Sequence, residues 1–158
     1  VSTVVYWKKD SRRDPLGETS IAIGNVGARA YAMKPRLLVV DDEEPILAAI
    51  REYFAPLGYE VDCARELEEA EALISHIRYS LLIADVRLTG TYGTEGLELI
   101  RFTRERSPWT RIIVLTGYGS SELESEAQGR GVDVFLQKPQ PLAELAAIAA
   151  NLTAAPGS

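Results

Sequence analysis

From Lys34 onward, short apolar runs alternate with stretches in which apolar residues recur every three or four positions. Arg36–Val40, Tyr59–Cys63, Leu81–Ala84, Ile112–Leu115 and Val132–Leu136 are mostly apolar and of strand length. Between them lie helical patterns. Pro45 suits a first helical turn, and Ile46, Leu47, Ile50, Phe54 and Leu57 follow at helical spacing. Leu67, Ala70, Leu73, Ile74 and Ile77 form a second stripe; Leu97, Ile100 and Arg104 mark a third helix that Pro108 ends. In the fourth, Ser121–Gln128, Ser121 and Glu124 match a capping box, yet only Leu123 and Ala127 are available for burial. Glu122, Glu124 and Glu126 leave the rest of it solvated, which predicts a weakly held element. Leu142, Leu145, Ala149 and Leu152 mark the last helix. Strict alternation of five strands with five helices predicts an α/β fold: a doubly wound parallel sheet with helices on both faces.

Residues 1–33 do not share this period. A short apolar run (Val4 to Trp7) precedes a polar stretch, and Pro15, Gly17, Gly24 and Gly27 interrupt any long helix. We read them as an extension ahead of a domain spanning residues 34–152, with residues 153–158 as a tail. A secretory-signal reading of the basic and apolar stretches is weakened by Asp14, Glu18 and the Gly and Asn inside the apolar part. A single cysteine, Cys63, allows no internal disulfide and fits a reducing, cytoplasmic setting. No apolar run approaches the roughly 18 residues of a membrane span. The net charge of −6 is uneven: residues 35–158 carry eleven Lys and Arg against twenty acids. An acidic folded part argues against direct nucleic-acid binding.

Charge adds most where the strands end. The first strand runs into Asp41, Asp42, Glu43 and Glu44, a crowding of like charge that burial makes costly. The third ends at Asp85, the fourth at Thr116 and the fifth at Gln137, Lys138 and Pro139. Ligands of open parallel sheets bind outside these carboxyl ends. Three carboxylates and one ammonium leave a charge that a divalent cation would neutralise, and oxygen donors without clustered His or Cys favour Mg²⁺ or Mn²⁺. Such a half-open oxygen site suits phosphoryl transfer, with one carboxylate as nucleophile and Lys138 and Thr116 on the phosphoryl oxygens.

The motifs VVDDEEP, LLIAD, VLTG and FLQKP, in this order and spacing, resemble those of the receiver domains of two-component response regulators over residues 35–152. The resemblance implies a flavodoxin-like fold with sheet order 2-1-3-4-5. It implies Asp85 as phosphoacceptor and a metal held by Asp41, Asp42, Asp85 and the backbone carbonyl of Arg87. Thr116 would be the switch hydroxyl, Lys138 its charge partner, Phe135 the aromatic switch, and the Lys138–Pro139 peptide cis. Implied partners are a sensor histidine kinase or phosphotransfer protein, a downstream protein target, and a second copy through the face of the fourth helix, fifth strand and fifth helix. The domain would assist its own phosphorylation and dephosphorylation without being an enzyme, acting alone or excised from a longer regulator. Gly96 stands eleven residues after Asp85 where the family has a Gly about eight on, which reads as an insertion beside the site. Arg87 and Tyr118 are bulky and flank the phosphoryl position; we expect them to shield it from water, Tyr118 modulating its lifetime.

Other readings have specific obstacles. DDEE would repel the phosphate of a flavin, and Arg87 stands where a haloacid-dehalogenase-type phosphatase places its second Asp. A degenerate receiver, binding partners without being phosphorylated, conflicts with five filled key positions. His76, Cys63 and Trp109 read as ordinary helical, buried and packing residues, and Glu43 and Glu44 as helix-start acids.

Overall fold

The computed structural model describes residues 34–87 and 95–154. The expectations for residues 1–33, for the inserted segment within 88–94 and for the last residues of the tail lie outside them. Five strands, β1 (Arg36–Val40), β2 (Glu60–Ala64), β3 (Leu81–Ala84), β4 (Arg111–Thr116) and β5 (Val134–Gln137), alternate with five α-helices. These are α1 (Glu44–Phe54), α2 (Leu67–His76), α3 (Glu95–Arg106), α4 (Ser121–Gly129) and α5 (Leu142–Thr153). All strand pairs are parallel, in the order β2-β1-β3-β4-β5. This is the flavodoxin-like arrangement, and its order reverses between β1 and β3, which places a crevice at their carboxyl ends.

The strand alternation builds two cores. Leu37, Val39, Leu81, Ile83, Ile113 and Leu115 pack with Leu47, Ile50 and Phe54 of α1 and Leu145 and Ala149 of α5. Leu38, Val40, Leu82, Ala84, Ile112 and Val114 meet Ala70 and Ile74 of α2, Leu97 and Ile100 of α3 and Ala127 of α4. The strands are apolar throughout because both faces are covered. In α4 only Ala127 is fully buried, with Leu123 packed at its edge, as its acidic sequence predicts.

Several boundaries differ for identifiable reasons. Leu57 is 55 % exposed, because α1 ends at Phe54 and passes into a 3₁₀ turn, Ala55–Leu57, closed by Gly58 at φ +105°. The strand at β5 begins at Val134, not Val132: Asp133 uses its own N–H on the Ile112 carbonyl and its carboxylate on the Ile112 N–H, ahead of the ladder. Ser120, not Ser121, caps α4, its hydroxyl accepting from the Leu123 N–H. Trp109, read as a packing residue, keeps 43 % of its surface exposed.

Candidate functional site

Asp41 and Asp85 directly follow β1 and β3, and their backbones extend the sheet's bonding past the strands. The Asp41 N–H donates to the Ala64 carbonyl at 3.1 Å and the Asp85 N–H to the Val40 carbonyl at 3.0 Å. Both side chains are buried, Asp41 at 2 % and Asp85 at 3 % exposure. One oxygen of each is satisfied locally: Asp41 Oδ1 accepts from the Glu43 N–H at 2.9 Å, and Asp85 Oδ1 from the Arg87 N–H at 3.0 Å. The other oxygen of each faces the same ammonium. Lys138 Nζ lies 2.8 Å from Asp41 Oδ2 and 3.1 Å from Asp85 Oδ2.

Lys138 reaches this position from the end of β5, its N–H bonded to the Thr116 carbonyl at 2.8 Å, and the following peptide to Pro139 is cis. Burial by itself would lower the Lys138 pKa. The hydrogen bond it donates to Asp41 and the charges of Asp41 and Asp85 more than reverse this, so its pKa lies above the ordinary lysine range. Asp41 is pushed the other way from most paired carboxylates: burial raises its pKa, and the bonds from Lys138 and the Glu43 N–H offset this only in part. The two acids are thus held as close neighbours by one shared cation.

Thr116 closes β4 fully buried, its Oγ1 accepting from the Tyr118 N–H at 3.2 Å. Tyr118 itself is 57 % exposed, and the Arg87 guanidinium stacks on its ring at 3.8 Å from the centroid. Buried Nε of Arg87 has no hydrogen-bond partner among the described residues. Thus the two residues expected to flank the site are in contact with each other. Phe135 is partly buried against the core on the α2–α4 side, outside this bonded set. Asp42 is half-buried beside Asp41, its carbonyl accepting from Arg65 at 3.1 Å. His76 is exposed and bonded within its own helix, and burial raises the pKa of half-buried Cys63.

The sequence assigns Glu43 mainly to the helix start, yet its carboxylate lies 3.3 Å from Lys138 Nζ. The signal was its place two residues after Asp41, at the cap of α1, where its N–H donates to Asp41 Oδ1. Gly96 is fixed by contact: a Cβ there would lie 2.1 Å from Val86 Cα, and its N–H donates to the Val86 carbonyl at 3.1 Å. The start of α3 is thereby seated on the residue after Asp85. Among the described residues, no three or more His, Cys, Asp and Glu side chains form a preassembled metal cage.

The family model of the response regulator receiver domain matches residues 37–150. AruR, a transcriptional regulatory protein of Pseudomonas aeruginosa, is 36 % identical over 126 residues, covering 77 % of this chain and 50 % of AruR. Other curated regulators matched at similar identity are also longer, and the chain spans between 22 % and 56 % of their length. A Burkholderia pseudomallei response regulator, solved with a phosphorylated aspartic acid, a calcium ion and citrate, superposes with a TM-score of 0.67 at 30 % identity. That superposition covers 76 % of this chain and 67 % of the other. The beryllofluoride-activated NtrC4 receiver domain dimer gives a TM-score of 0.68 at 32 % identity, over 75 % of this chain and 95 % of the other. The family match runs from the second residue of β1 to within the last turn of α5, enclosing the whole sheet and every strand end described above, and the chain belongs to the response regulator receiver domains.

Proposed function

We propose that this receiver domain is a phosphorylation-controlled switch that accepts a phosphoryl group on Asp85 from a histidine kinase or phosphotransfer protein. The observation that carries the reading is the pair of buried carboxylates, Asp41 and Asp85, bridged by Lys138. Nothing structural requires two acids to share a buried ammonium, and the arrangement costs desolvation. It is suited to receiving an anionic group beside a fixed cation. Asp85 Oδ2 would attack the phosphorus of a phosphohistidine; the P–N bond breaks, its electrons return to the imidazole, and an acyl phosphate forms. Lys138 moves its donor bonds from the carboxylates to the new phosphoryl oxygens, and the Thr116 hydroxyl gives up the Tyr118 N–H to join them.

The donor set fits a hard divalent cation. Asp41, Asp42 and Asp85 and the backbone carbonyl of Arg87 offer only oxygen, and an ion such as Mg²⁺ needs few protein ligands because it keeps several waters and takes phosphate oxygens. When bound, it would supply charge neutralisation between the acids and the incoming phosphoryl group. The reading extends to a cytoplasmic setting and to a change on the α4–β5–α5 face. The weak burial of α4 suits that change, and the same face would serve a downstream protein or a second copy. The greater length of the relatives fits a signal passed onward to another domain or protein.

Incubation with acetyl phosphate and Mg²⁺, followed by intact-mass measurement, tests the reading. A gain of one phosphoryl group that Asp85→Asn abolishes is expected. Absence of any adduct on the wild-type chain would overturn it in favour of a receiver that binds partners without phosphorylation.

A further inference from the structure

At the pole of the sheet opposite Asp85, the turn from α3 into β4 presents Trp109 to solvent. The turn is held rigidly from beneath. Arg104 donates to the carbonyls of Pro108, Thr110 and Gly131, and the Thr110 hydroxyl donates to the Tyr79 carbonyl at 2.8 Å. A half-buried arginine bonded to three backbone carbonyls fixes the backbone on either side of Trp109 while leaving its ring outside. The Arg78 guanidinium covers one face of that ring at 3.9 Å from the centroid, and the Arg106 guanidinium lies 5.2 Å from the Phe102 ring. Phe102 and Arg106 each stand two residues from Arg104, about 200° around the helix. They therefore lie on the flank away from Gly131, toward α2, at whose end Arg78 stands.

Charge sets this cluster apart. The neighbouring arginines are ion-paired: Arg36 with Glu60 and Asp62, and Arg104 and Arg111 with a shared Asp133. Arg78 and Arg106 have no ion pair among the described residues; their contacts are the aromatic faces. An exposed Trp stacked by one arginine without an ion pair, with a second such arginine on Phe102, has the composition of an interface anchor.

We propose that Trp109, Arg78, Arg106 and Phe102 form a docking surface for a short acidic segment of a partner protein carrying a large apolar residue. The apolar residue would cover the free face of Trp109, and carboxylates would take the guanidinium edges in bidentate geometry. Two guanidinium groups match the few carboxylates of a short segment, whereas an extended polyanion such as nucleic acid or an anionic membrane would reach past them to the acids of a chain of net charge −6. The site lies at the far end of the strands from Asp85, so a partner seated there leaves the phosphorylation pole open.

The test is an NMR titration of the full ¹⁵N-labelled chain with a short Glu/Asp-rich peptide bearing a central Leu-Phe pair. The same peptide with Lys in place of its acids, a single-stranded oligonucleotide and phosphatidylglycerol vesicles are the comparisons. The chain has two Trp residues, and Trp109→Ser identifies the Trp109 indole resonance. Expected are shifts of the Trp109 indole and of the Arg78 and Arg106 amides with the acidic peptide alone. Affinity should fall about tenfold in Trp109→Ser and roughly fivefold in the Arg78→Ala/Arg106→Ala double variant. Unchanged far-UV circular dichroism would show that both variants fold. No shift at millimolar peptide, equal affinity in the variants, or a response to the oligonucleotide or vesicles instead would each overturn the proposal.

Discussion

Asp41 carries its charge where water barely reaches, and its raised pKa is a statement about stability. A carboxyl whose folded pKa lies above its unfolded value stabilises the protein only at low pH, and that contribution is lost as pH rises through the folded pKa. At neutral pH the native state therefore bears the cost of an ionised Asp41. Asp41→Asn is expected to raise the Tm at pH 7 while slowing phosphorylation by acetyl phosphate; a lowered Tm would show that Lys138 more than repays the burial. The stacked pair Arg87 and Tyr118 is the second residue-scale feature with a direct test. Their stack joins the residue two after Asp85 to the residue two after Thr116; if it shields an acyl phosphate on Asp85, a double alanine variant should hydrolyse that phosphate faster, followed by the decay of the phosphorylated mass. An unchanged half-life would remove shielding as their role.

Each element shows a different balance of local and distant causes. The strands were legible because continuous apolar runs are what a sheet covered on both faces requires, and the buried acids Asp41 and Asp85 because they interrupt those runs at the carboxyl ends of the candidate site. What the pattern could not reveal depends on partners distant in sequence. Examples are Arg104 reaching Gly131, Asp133 replacing a ladder bond at Ile112, and Glu43 reaching Lys138. The cap at Ser120 was misplaced by one residue because two adjacent serines offer the same hydroxyl. At the start of α3, Gly96→Ala would drive a methyl into Val86. Overpacking of this kind costs about 1–3 kcal/mol, and urea denaturation should show it together with slower phosphorylation at the neighbouring Asp85. Just before β3, Tyr79 is buried, and its hydroxyl donates to Asp62 at 2.6 Å. Burial first, then that bond to a carboxylate, lifts its pKa well above the tyrosine range. Its stabilising share is complete below the unfolded value of about 10 and is lost as pH rises beyond it. Tyr79→Phe should flatten stability measured between pH 9 and 11, two values on either side of that unfolded pKa of about 10.

The molecule as a whole is two cores sharing one sheet. Alternate residues of the central strand β3 serve opposite sides: Leu81 and Ile83 face α1 and α5, while Leu82 and Ala84 face α2 to α4. Truncating either Leu82 or Ile83 to Ala should cost about 2–5 kcal/mol. In both variants, circular dichroism and Trp fluorescence should report one coincident transition, because the strand transmits the loss to both sides. Two separated transitions would show that the helical layers melt independently. The seating of Gly96 on Val86 has a further consequence for the domain's diversification. It pinches the chain together on both sides of residues 88–94, so a change of length there begins and ends at one fixed point. Closing a longer segment adds little, about 0.6 kcal/mol for each doubling. That stretch can act as an interchangeable graft: an epitope or partner-reading sequence could be exchanged in it without resetting the acid pair or the helix beyond.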